Sequence, residues 1–133
     1  MILCVLKFNF GFKTINDDHG HGVGDAILAK IGQRLKHAVR ETDMVYRVGG
    51  DEFALIMPGA STPESVTLVA EKLLLKTGQP IETAGQSLTL SISIGIACYP
   101  SEASDAKPLI KLADEAMYRA KAKGKNCYET ARV

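Results

Sequence analysis

Residues 88–97 alternate without a break, with Leu88, Leu90, Ile92, Ile94 and Ile96 on one side and Thr89, Ser91, Ser93, Gly95 and Ala97 on the other. A period of two belongs to a strand, whose successive side chains point to opposite faces. One face is aliphatic throughout and the other is small, as expected where helices pack on one side of a sheet. Tyr99-Pro100 ends the pattern. The rest of the chain must supply the other strands and the covering helices.

It does so in a readable order. Residues 2–8 (ILCVLKF) form an apolar run expected of a strand buried on both faces. After the polar stretch Asn16–Gly22, the apolar positions Ile27, Leu28, Ile31, Leu35, Ala38 and Val39 recur at helical spacing from Gly24 to near Arg40. Two short strand-like segments follow, Met44–Val48 and Phe53–Met57, joined by Gly49-Gly50-Asp51-Glu52 as a hairpin. Thr62 or Ser61 can cap a second helix opening at Pro63, with Val66, Val69, Ala70, Leu73 and Leu74 as its apolar stripe. Gly78-Gln79-Pro80 stops it. A minor hairpin is expected over Ile81–Leu88, turning at Ala84-Gly85. A third helix enters through Ser104-Asp105 and aligns Leu109, Ala113, Ala116, Met117 and Ala120, and a strand at Asn126–Tyr128 completes the series.

The order β-α-β-β-α-β-α-β implies an α+β sandwich, a largely antiparallel sheet with flanking helices. The 133 residues suit one domain, residues 1–133, and 46% apolar with 23% charged residues is an ordinary globular balance. A net charge of +1 advertises neither a nucleic-acid nor a membrane partner. Cys4, Cys98 and Cys127 are odd in number and lack metal-like spacing, so they are expected to be reduced thiols in a cytoplasmic protein. The opening MILCVL is too short to span a bilayer and lacks the flanks of a signal peptide.

The hairpin turn is where chemistry can sit. Its glycines allow a tight reversal, and Asp51 and Glu52 project two carboxylates from it, the donors a hard divalent cation needs. Arg47-Val48-Gly49-Gly50-Asp51-Glu52-Phe53 resembles the signature of the GGDEF family, the diguanylate cyclases. Further matches fall in order: Gly11 through Asp17, Gly20-His21, Gly24-Asp25, Ser93-Ile94-Gly95-Ile96 and Ala113 through Lys121. The resemblance covers nearly the whole chain. It implies a fold like the palm of nucleotidyl cyclases and polymerases, and an activity in which two facing domains join two GTP into cyclic di-GMP and pyrophosphate with Mg2+ or Mn2+.

Position by position, the resemblance makes Asp51 and Glu52 the catalytic and metal-binding pair. Asn16 and Asp25 match the residues that read guanine, although a turn residue and a helix cap are the plainer readings. Gly11, Phe12 and Lys13 match the phosphate loop, and Lys121 and Lys125 match basic groups near the phosphates. Arg40-Glu41-Thr42-Asp43 fits the family's inhibitory cyclic di-GMP site, in which Arg40 and Asp43 hold the ligand.

Two departures stand out. The family usually reads Asp-x-Asp ahead of the phosphate loop, and its first Asp is a metal ligand. Here Phe8 and Phe10 occupy both acidic positions, and Asn9 falls where a backbone carbonyl serves the metal. Losing a charged oxygen donor should weaken binding of a hard cation and reduce turnover. The family's usual lead-in helix is also missing before the first strand, which leaves open whether Met1 is a native start. A surface left uncovered there suits a homodimer, domain swapping included, and a sensory or phosphodiesterase domain is expected outside this chain. The leading expectation is a GGDEF domain that binds GTP, cyclic di-GMP or both, with impaired cyclase activity. A working cyclase and a non-catalytic dimerisation remnant stay open as alternatives.

Overall fold

The computed structural model describes residues 3–11, 21–59, 62–83, 85–99 and 105–131. Strand β1 (Leu3–Asn9) is followed by helix α1 (His21–Ala38), the hairpin β2 (Met44–Gly49) and β3 (Glu52–Pro58), and helix α2 (Pro63–Thr77). The small hairpin β4 (Ile81–Thr83) and β5 (Gln86–Leu88), strand β6 (Ser93–Tyr99), helix α3 (Ala106–Ala122) and strand β7 (Cys127–Thr130) complete it. The main sheet runs β2-β3-β1-β6-β7, so the first strand in sequence is the middle strand in space. It pairs antiparallel with β3 and β6, while β7 lies parallel to β6, the one departure from an antiparallel sheet. Parallel neighbours need a crossover, which α3 provides.

Alternation along β1 divides the core into two layers. Cys4, Leu6, Phe8 and Phe10 are buried with Ile27, Ile31 and Leu35 of α1 and Val66, Ala70 and Leu73 of α2. On the other face, Val5 packs with Ala97 of β6 and with Leu109 and Ala113 of α3. Each fully buried large aliphatic or aromatic side chain contributes about 1.5–3 kcal/mol. Helix α3 buries the whole stripe expected of it, Leu109, Ala113, Ala116, Met117 and Ala120, whereas Leu28 and Val39 of the first helical stripe and Val69 and Leu74 of the second are only partly buried. Thr62 caps α2: its hydroxyl accepts from Ser65 N, and Ser65 Oγ accepts from Thr62 N in return. Ser61 and Ala84 lie outside the described residues. Among the described residues, no helix is long and apolar enough to cross a membrane.

The small face of β6 has a direct cause. A Cβ placed on Gly95 would overlap the backbone of Ala113 and Met117, so α3 can lie this close only over a glycine.

Two expectations need correction. The ten-residue strand over 88–97 is two elements: Leu88 pairs with Ile81 in the small hairpin, and β6 begins only at Ser93. Leu90 and Ile92 between them are buried all the same, since alternation reports which face is covered, not which residues bond in a ladder. The Ile92 N–H donates instead to the side-chain carbonyl of Asn126 at 3.0 Å. Second, Cys4 and Cys98 are not separate reduced thiols. The β1–β6 register sets them directly opposite, with Cα atoms 4.2 Å apart, and the two sulfurs are joined in a disulfide. Cys127 is a free thiol that donates to the Ala120 carbonyl.

Candidate functional site

Strand register assembles the site at one end of the sheet. Glu52 pairs with Asn9, Asn9 with Ser93, and Ser93 with Cys127, a row across four strands roughly 14 Å wide. Gly11, the turn carboxylates and Lys125 therefore leave the sheet at the same edge. Gly11 has a left-handed φ of 63°, and a Cβ there would stand 2.9 Å from Ser91 Oγ. Lys121 is half-buried at the end of α3, and Lys125 is exposed just beyond it, its N–H donating to the Ala120 carbonyl at 3.2 Å. Asp25 is exposed near the start of α1. Phe12, Lys13 and Asn16 lie outside the described residues.

The turn itself is held from several directions. The Arg47 guanidinium donates to the Gly50 carbonyl through Nε at 3.3 Å and Nη2 at 3.0 Å. Phe10 N–H donates to the Asp51 carbonyl at 2.9 Å, which fastens the turn to the end of β1. The Asn9 amide donates to Asp51 Oδ1 at 3.2 Å. Lys7 Nζ lies 3.4 Å from Glu52 Oε1 and 3.4 Å from Asp114 Oδ1 of α3.

Phe8 and Phe10 point the other way, into the layer under α1 and α2, with 1% and 0% of their surfaces exposed. Their ring centroids are 5.9 Å apart, and Phe10 meets Phe53 edge-on at 5.4 Å. These rings are structural members of the core, and the position expected to carry a metal-binding carboxylate offers no oxygen. Among the described residues, the donors that remain do not fit a divalent cation. One carboxylate of the turn accepts from an amide and the other is paired with an ammonium. Among the described residues, no three His, Cys, Asp or Glu side chains cluster as metal ligands would. Asn9, read from sequence through its backbone carbonyl, acts here through its side chain.

Arg40 and Asp43 lie at the opposite end of the β2–β3 hairpin, where Arg40 Nη2 donates to the Pro58 carbonyl at 3.1 Å. They are already engaged with each other. Asp43 accepts from Arg40 N at 2.9 Å and from Arg40 Nη2 at 3.0 Å, and its carboxylate is only 1% exposed while the guanidinium is 52% exposed. A cavity of about 600 Å³ opens beside the pair, bounded also by Lys36, Val45, Arg47 and Phe53. A smaller one of about 220 Å³ lies on the other flank, against Val69 and Lys72. Sequence reading missed Lys36, Arg47 and Lys72 here. Lys36 lies in the last turn of α1, two residues before the helix ends, and Arg40 follows beyond it. Lys72 comes from a different helix and gave no signal.

Comparison with known proteins decides the family. The profile described as "Diguanylate cyclase, GGDEF domain" matches residues 2–127. This chain belongs to the GGDEF family. The domain is 41% identical over 118 residues to the bifunctional diguanylate cyclase/cyclic di-GMP phosphodiesterase MucR of Pseudomonas aeruginosa, covering 89% of this chain and 17% of that relative. The crystal structure of the GGDEF domain of TpbB from the same organism superposes with a TM-score of 0.95 at 35% identity, over 99% of this chain and 83% of that one. A structure described as a novel interaction mode between a microbial GGDEF domain and cyclic di-GMP superposes with a TM-score of 0.80 at 27% identity, over 97% and 76% of the two chains. The palm-like α+β architecture of this GGDEF domain is thus the one expected, and its place is in cyclic di-GMP signalling.

Proposed function

We propose that this GGDEF domain is a regulatory module that binds cyclic di-GMP at Arg40 and Asp43, with cyclase turnover weak or lost. The cavity beside the pre-paired Arg40–Asp43 carries the reading. A guanidinium already oriented by its carboxylate loses little freedom when a ligand arrives. The half-exposed guanidinium can donate to a phosphate or to the Hoogsteen edge of guanine, while the buried Asp43 carboxylate holds it in place. Lys36 and Arg47 make the cavity wall cationic on balance, three basic groups against Glu41 and Asp43, which suits a dianionic dinucleotide.

The same domain retains candidate groups for GTP at the other end of the sheet: Gly11, Phe12, Lys13, Asn16, Asp25, Lys121 and Lys125. Weak turnover follows from the phenyl ring at position 8 and from the engagement of Asp51 and Glu52 by Asn9 and Lys7. In the family Mg2+ or Mn2+ supplies the charge that stabilises phosphoryl transfer, and the donors here do not suit it. The reading extends to a homodimer working beside other domains, in keeping with the greater length of relatives such as MucR.

Calorimetric titration with cyclic di-GMP tests the proposal. Binding is expected for the wild type, with Arg40→Ala weakening it at least about tenfold, the scale of one charge-assisted hydrogen bond. Absence of heat with the wild type would reject the binding site. Formation of cyclic di-GMP from GTP and Mn2+ at the rate of an intact relative would reject the weak-turnover part alone.

A further inference from the structure

Lys7 is a charged residue in the middle strand of the sheet, on the face where Val5 joins an apolar cluster, and its side chain is only 8% exposed. Burying an ammonium there is costly unless it is paired. Its two partners come from different elements, Glu52 from the signature turn and Asp114 from α3, each with 3.4 Å between charged atoms. The neighbouring side chain on the same face of β1, Asn9, donates to Asp51. Both signature carboxylates are therefore met by side chains of β1, one by an amide and one by a cation.

We infer that Lys7 is the resident counter-ion of the signature turn, a positioning residue that supplies in covalently attached form the positive charge the family draws from a metal. The ammonium offsets the charge on Glu52 and Asp114 and fastens the turn to α3, the helix whose last turn carries Lys121. Positioning of Asp51 and Glu52 is then independent of divalent cations. The inference concerns the turn alone and does not depend on whether Arg40 binds cyclic di-GMP.

Two measurements on the full chain, without nucleotide, test it. In the first, wild-type protein is titrated into Mn2+ and free ion is followed by electron paramagnetic resonance, with thermal melts in Mn2+ and in chelator. No loss of the free-ion signal and no change in Tm are expected. Stoichiometric Mn2+ binding that Asp51→Asn abolishes would overturn the inference. The second uses Lys7→Met, which keeps the stem and removes the charge. Its Tm is expected to fall by about 5 °C and to recover on adding millimolar Mn2+, because a free cation then takes up the vacated role. Lys7→Arg should need no such rescue. A methionine variant as stable as wild type, or one destabilised yet indifferent to Mn2+, would also overturn it, since lost packing gives no cation response. Should that variant fail to fold, the wild-type titration decides alone.

Discussion

Replacing Gly95 by alanine should destabilise the domain by about 1.5–3 kcal/mol, although the change adds a single methyl group. The new Cβ would stand 2.8 Å from Met117 Cα and closer still to two other backbone atoms of α3. None of these can rotate away, so the helix must lift by about 1 Å to restore ordinary contact. A gap of that size forfeits a quarter to a half of the attraction across it. The interface at risk comprises the buried faces of Leu109, Ala113, Ala116, Met117 and Ala120, together worth roughly 6 kcal/mol of burial. The loss of about 1.5–3 kcal/mol that results lies in the upper part of the range of overpacking penalties. Urea unfolding followed by circular dichroism measures it, with Gly32→Ala as the matched control. Gly32 lies within α1 and has nothing within 4 Å of its notional Cβ, so the same methyl should stabilise there by about 0.5–1 kcal/mol. A Gly95→Ala midpoint equal to wild type would refute the reasoning, because α3 would then not be seated on bare backbone.

Phe10→Ala should cost about 3–5 kcal/mol, as a fully buried ring with aromatic partners on both sides is removed, and the same urea titration would show it. Alkylation of the unfolded chain without reductant should modify one of the three cysteines, Cys127, and all three after reduction, with mass spectrometry as the readout.

What could be read from sequence, and what could not, follows the range of the interactions involved. Helical stripes are local, so the five buried residues of α3 are legible from their spacing alone. The Asp51–Glu52 turn was legible for the same reason, since two apolar runs and a glycine pair define a hairpin within a dozen residues. The disulfide was not, because Cys4 and Cys98 are 94 residues apart and meet only through the β1–β6 register. Lys7 read as one polar residue in a strand, and its two partners became visible only when β3 and α3 were in place. Asn126, expected at the start of a strand, instead accepts the backbone N–H of Ile92. The phenylalanines at positions 8 and 10 were legible as apolar residues where the family carries acids, but their place in the core under α1 and α2 comes from the fold.

The central position of β1 sets a schedule for synthesis. Its pairing partner β6 ends at Tyr99, about 90 residues after β1 is complete, and at 5–20 residues per second that interval is roughly 5–20 s. Throughout it, a nascent chain carries an apolar strand with one side unpaired. Such a polypeptide closes its sheet only once β6 has been made, and a chaperone that shields Leu3–Phe10 through that interval should shorten its exposure to aggregation more than one acting on any later segment.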